Sequence, residues 1–152
     1  MRIMGIDLTR VDTTPEFDPG TVAWDDNGKA YKYLQYKEGT AAVDGVAGEV
    51  AYYLATDGYK NSQCTSDLSD SDEIGAGVLQ VVMSEDEYGW LQVKGFATLS
   101  IALTAGVDGD PLTPTGAGDG TLDVNVATAA NTDICAWAGD ASDLEIICDF
   151  LL

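Results

Sequence analysis

Histidine is missing from the 152 residues. That removes the usual general base and the commonest metal ligand near neutral pH. Basic residues are scarce, with 7 Lys and Arg against 26 Asp and Glu and a net charge of −19. A field of that sign repels DNA, RNA and anionic membrane surfaces and attracts a basic one, so neither nucleic acid nor membrane is expected as a partner. Cysteine occurs three times, at Cys64, Cys135 and Cys148, an odd count in no metal spacing. Free buried thiols made in a reducing cytoplasm fit this best, with a Cys135–Cys148 bridge between neighbouring strands as the alternative. No window holds the ~18 apolar residues of a membrane span. The start of the chain, Met1 to Leu8, lacks the apolar run of a signal peptide. The expectation is a soluble chain, not exported by an obvious signal.

What is present is 45% hydrophobic residues in a length that suits one domain. The stretch from Gly77 to Leu103 reads as an antiparallel meander. Leu79, Val81 and Met83 share one face of a first run, Leu91 and Val93 of a second, and Leu99, Ile101 and Leu103 of a third. Ser84 to Glu87 makes the acidic turn between the first two, and Gly95 marks a bulge or bend before the third. The opposite face then carries Gln80, Trp90, Gln92, Lys94, Thr98 and Ser100, one polar side against one core side.

Before this meander, residues 1–19 hold Pro15 and Pro19 among small polar residues and read as an extended N-terminal arm. Its isolated apolar residues Ile3, Ile6, Leu8 and Val11, with Phe17, either lie across a neighbouring molecule or belong to a frayed tail. Val22 and Trp24 open a short strand, Asp25 to Gly28 turns it, and Lys29 to Tyr36 returns beside it, with the tyrosines expected opposite Val22 or Trp24. Lys29, Lys32 and Lys37 form a small basic patch expected to pair with nearby carboxylates. Residues 49–54 fit either helix or strand, and Gly45 and Gly48 favour strand. Gln63 to Thr65 reads as another short strand, and residues 66–73 as an acidic loop.

After Leu103, turn formers dominate, with short strands at Leu112 and at Leu122, Val124 and Val126. A strand at 134–138 turns at Gly139-Asp140, and Leu144, Ile146, Cys148 and Phe150 share one face of a last strand. Regular short strands between frequent turns predict an all-β fold. Its form would be a single-domain antiparallel β-sandwich or partly open β-barrel over residues 20–152, preceded by the arm.

Chemistry is hard to place on this chain. Asp108, Asp110, Asp119 and Asp123 are weak calcium candidates, because closely spaced aspartates on turns supply oxygens but their spacing is not that of the twelve-residue calcium loop. Gly116 to Gly120 has no lysine after it and opens no helix, so it is no phosphate cradle. Without histidine the common nucleophile-activating arrangement is absent. The expectation is therefore no enzyme, no cofactor and no metal. Tyr88, Trp90 and Phe96 gather around the acidic turn and Gly95, either as a surface for a protein or sugar or as core.

Four motifs in order resemble the small head proteins of tailed bacteriophages: Phe17 to Val22, Asp26 to Gln35, Tyr88 to Gly95, and Gly109 to Thr113. The resembled family is that of the capsid decoration, or cement, proteins. The resemblance implies a β-rich structural protein, often a homotrimer, made in the host cytoplasm. It would sit on the outer capsid surface of the virion, bridging subunits of the major capsid protein and stabilising the head. Contacts to the shell or to neighbouring copies would come from Ile3, Ile6, Leu8, Val11, Phe17, Val22 and Trp24. Tyr88, Trp90 and Phe96 would lie on the surface or between copies. The alternative is a glycan- or receptor-binding module displayed on the virion, using Trp90, Tyr88 and loop carboxylates.

Overall fold

The computed structural model describes residues 5–126 and 133–152. They form β1 (Val22–Trp24), β2 (Ala30–Tyr36), β3 (Val50–Leu54), a single helical turn α1 (Gly58–Asn61), β4 (Gln63–Thr65), β5 (Ser71–Leu79), β6 (Tyr88–Thr98), β7 (Pro111–Thr113), β8 (Asp123–Val124), β9 (Ala136–Asp140) and β10 (Glu145–Asp149). The fold is all-β, as the turn-and-strand pattern predicts.

Strand order is β1-β2-β4-β3-β5-β6-β10-β9-β7-β8, and a further pairing of β2 with β6 closes β2, β4, β3, β5 and β6 into a five-stranded barrel. One pair, β2 with β4, is parallel, so the sheet is not antiparallel throughout. Each of the five barrel strands sends residues to one buried cluster: Leu34 and Tyr36, Ala51 and Tyr53, Cys64, Ala76 and Leu79, and Leu91. That cluster is the barrel interior. Alternate residues of β3, β5 and β6 (Val50, Tyr52, Val78, Val93) point the other way, into a second core with Leu112, Ala136, Ile146, Cys148 and Phe150. The sheet β10-β9-β7-β8 thus lies over one barrel wall.

The strand that joins the two parts is β6. Residues 88–94 pair with β2, and residues 94–98 pair with β10. Gly95, at φ 89°, sits where the strand leaves one partner for the other. A Cβ there would meet Lys29 Cγ at 3.0 Å, so glycine suits both the backbone angle and the space. Gln92 is buried here, and its side-chain amide donates to the carbonyls of Lys94 (3.1 Å) and Phe96 (2.8 Å), satisfying groups around the bend.

This geometry corrects the meander expected from the sequence. The first two runs do form a hairpin, but β5 starts at Ser71 and ends at Leu79, taking in residues read as acidic loop. Thr98 ends β6, and no third strand follows at 99–103. Trp90 and Gln92, placed on a polar face, are buried because β6 is covered on both sides. Gly139 and Asp140 lie inside β9, and the turn falls at 141–144. Across β1 and β2, Ala23 faces Tyr31, while Val22 faces Lys32 and Trp24 faces Ala30. The strand readings at 22–24, 50–54, 63–65 and 145–149 stand.

Candidate interaction surface

Four neighbouring strands place one apolar residue each in a single transverse row. Pro111 of β7 is opposite Trp137 of β9, Trp137 is opposite Ile147 of β10, and Ile147 is opposite Phe96 of β6. Trp137 is 43% exposed, Ile147 49% and Phe96 44%. The alternating neighbours Leu112, Ala136, Ala138, Ile146, Cys148 and Ala97 all point inward and are buried. Both faces of this sheet are therefore apolar at its middle, and the outer one has no cover among the described residues. On one side of the row Lys94 pairs with Asp149 across the strands, and on the other Glu145 lies opposite Thr98. An apolar centre with a charged rim is the anatomy of a protein-binding face.

Of the three aromatics that the sequence leaves open between surface and core and the resemblance puts on the surface, only Phe96 belongs to this row. Trp90 is 2% exposed. It stands beside Tyr33 with ring centres 5.1 Å apart and meets the Phe17 edge at 5.3 Å. Tyr88 is half-buried and stacks on Tyr33 at 6.1 Å. Trp137 and Ile147 were missed. Ile147 alternates with Ile146 and Cys148, which the sequence places in the core, and Trp137 lies opposite it on the neighbouring strand, whose faces the sequence analysis leaves unassigned.

The arm residues lie on their own chain. Ile6, Leu8 and Phe17 pack on the cluster of Ala23, Tyr31, Tyr33 and Trp90, and Val11 packs against the barrel interior. Val22 and Trp24 are partly buried against the second core. In this conformation these residues are partly buried against their own chain. Ile3 lies outside the described residues.

The calcium candidates do not form one site. Asp108 accepts from the Ala141 N–H at 2.9 Å, Asp110 from Val107 at 2.8 Å, Asp119 from Leu68 at 2.9 Å and Asp123 from Val124 at 2.8 Å. Among the described residues no group of three acidic or thiol side chains is placed to hold a metal ion.

In the small basic patch, Lys37 pairs with Glu85 and Asp86, as expected. Among the described residues Lys32 has no carboxylate partner. It is buried, its ammonium donates to the Tyr53 hydroxyl at 2.8 Å and lies 5.3 Å from that ring's centre, and burial lowers its pKa.

All three cysteines are free and buried.

No family model, no curated protein and no solved structure matches this chain.

Proposed function

We propose that this is a non-catalytic binding protein of the virion-decoration class, whose sheet face Pro111–Trp137–Ile147–Phe96 docks on another protein's surface. More particularly, we read it as a head-stabilising decoration protein whose partner is the major capsid protein lattice of a tailed bacteriophage. The single observation that carries the docking face is the row itself, aligned across four strands and left open. The resemblance of the four sequence motifs supplies the partner. A net charge of −19 suits an outer surface better than a DNA-filled interior. A repeating lattice multiplies a modest contact by avidity, so a short row of anchors suffices.

The arm reading changes in this proposal. Most of the apolar arm residues cover the barrel, so shell contact moves from the arm to the β6-β10-β9-β7 face. Strand addition remains available at β1, which ends the strand order, and a homotrimer would place that edge or the apolar row between copies.

The test is co-sedimentation of purified protein with mature heads that lack it. Wild type sediments with the heads, and Trp137→Asp or Ile147→Asp stays in the supernatant while keeping the wild-type circular dichroism. Wild type remaining in the supernatant sinks the capsid reading. Equal sedimentation of the variants sinks the docking face. The glycan reading loses its main support because Trp90 is enclosed.

A further inference from the structure

Beyond Gly95, one edge of β6 has no strand beside it. The Phe150 N–H donates to the Val93 carbonyl at 3.0 Å, and the Leu99 N–H to the Leu144 carbonyl at 2.8 Å. The odd-numbered residues of this half therefore turn their backbone groups toward β10, and the even-numbered ones turn theirs to the opposite edge. That edge is closed at both ends. The pairing with β2 stops at Lys94, opposite Ala30, and the Ser100 N–H donates to the Gly48 carbonyl at 2.9 Å. Between these ends, among the described residues, no strand pairs with Phe96 or Thr98 on this side. The Gln92 side-chain amide serves the carbonyls of Lys94 and Phe96. What is left open is the N–H of Phe96 and both backbone groups of Thr98. An open edge of this kind is a template for another chain.

The same edge forms one wall of a groove of about 500 Å³. Lys29, Gln80, Gln92 and the exposed Thr98 and Ser100 also line it. In a chain with 26 Asp and Glu, none of the lining residues is acidic. Lys29 is the one cation among them, and no ion pair holds it among the described residues. Its stem lies against Gly95, where a Cβ would meet Lys29 Cγ at 3.0 Å, so it stands at the β2 end of the open edge. The groove thus offers N–H donors along one wall and an unpaired ammonium at one end, an arrangement that favours a carboxylate.

The closed ends decide what kind of chain fits. A strand laid antiparallel to Phe96–Thr98 runs toward Lys29 and the turn between β1 and β2, which blocks a chain that continues. A chain that ends there meets no obstacle, and its terminal carboxylate arrives beside the ammonium. A small free anion would use Lys29 and leave the edge open.

We propose that this groove takes the free C-terminal segment of a partner protein, paired antiparallel with Phe96–Thr98 and with its carboxylate at Lys29. The groove borders the apolar row at Phe96 and does not rest on the capsid reading.

The experiment uses the full ¹⁵N-labelled chain. In the free chain the amides of Phe96 and Thr98 should exchange with solvent quickly while those of Ala97 and Leu99 are protected. Protection of Phe96 and Thr98 at all concentrations overturns the open edge, and protection that grows with protein concentration assigns it to a second copy and overturns the partner. The chain is then titrated with acetyl-Thr-Val-Thr-Val bearing a free carboxylate and, separately, with its C-terminal amide. Saturable shifts are expected at Phe96 and Thr98, with the amide bound about tenfold more weakly for loss of one charge-assisted hydrogen bond. In Lys29→Met the acid and the amide should bind alike. Thr98→Pro deletes an N–H that no bond inside the fold uses, so it should fold and lose the peptide. Thr98→Val keeps that N–H and should bind far more tightly than Thr98→Pro. If the proline variant unfolds, Lys29→Met carries the test. Equal affinity of acid and amide for the wild type overturns the proposal. So do shifts that do not saturate, saturation by sodium acetate at the same concentrations, or a loss of peptide in Trp137→Asp as large as in Thr98→Pro, which would seat the peptide on the row. No heads enter these measurements, so their outcome stands apart from that of the co-sedimentation.

Discussion

The Tyr33 hydroxyl of β2 donates to Asp12 Oδ2 at 2.6 Å and accepts from the Glu16 N–H at 3.2 Å, so one core phenol holds the N-terminal segment at two points. Arg10 Nε closes on the other oxygen of Asp12 at 2.7 Å, and Asp12 exchanges backbone hydrogen bonds with Tyr88 of β6. The segment is therefore part of the folded unit. Tyr33→Phe should cost about 2 kcal/mol, the worth of a hydrogen bond to a charged group. Urea unfolding reads the loss, and hydrogen exchange should quicken at residues 5–19 before the rest. Unchanged exchange there would show that the phenol does not hold the segment.

Alkali should unfold the protein partly through the same residue. Burial, and then the Asp12 carboxylate, push the Tyr33 pKa up to about 12. An unfolded tyrosine releases its proton near pH ~10. The folded state keeps the proton longer, so the stability is complete below that value and is lost as pH rises through it toward 12. The urea midpoint should fall between pH 9 and pH 11 (on the order of the interval in which only the unfolded phenol ionises), and less steeply in Tyr33→Phe. Identical slopes would remove Tyr33 from the account.

Thiol chemistry should be silent in the native state. Burial raises Cys64 and Cys135, and pushes Cys148 up to about 12. The thiolate is the reactive form, so all three cysteines should resist an aromatic disulfide reagent at pH 8 and react together once urea unfolds the chain. One fast thiol in the native protein would contradict this packing.

Truncating the apolar row should barely change stability. Trp137→Ala and Ile147→Ala remove half-exposed side chains, so each should cost no more than about 1 kcal/mol in cross-strand contact. Loss of head binding with such a small change separates docking from folding, and a loss of several kcal/mol would make the row structural.

Phe150 should behave in the opposite way. It is 1% exposed, and its ring lies where a Cβ on Gly75 would come within 2.7 Å. Phe150→Ala should cost about 3–5 kcal/mol, seen as a lower thermal midpoint. A near-neutral result would mean that the second core closes without it.

The two kinds of residue differ in how plainly the sequence announced them. Ile146, Cys148 and Phe150 were readable as core because their alternation is unbroken. Ile147 stands at an outward position in the same strand and Trp137 on the neighbouring one, yet they were not read as surface because nothing local says that a second apolar face stays uncovered. Trp90 was misplaced for the converse reason. Its neighbours Gln92 and Lys94 suggested a solvent face, but Phe17, more than seventy positions earlier by numbering, covers it.

Alternation, turn chemistry and charge count by themselves determined that this chain is all-β, strongly acidic and without the histidine-based chemistry of many enzymes. Those are local or additive properties, set by side chains a few positions apart or by their sum. Tertiary structure alone decided that β2 closes on β6, which strands are covered on both faces and where the apolar row emerges. Each depends on pairings between residues far apart in the chain, and a strand carries the same two-residue period whichever neighbour it finds.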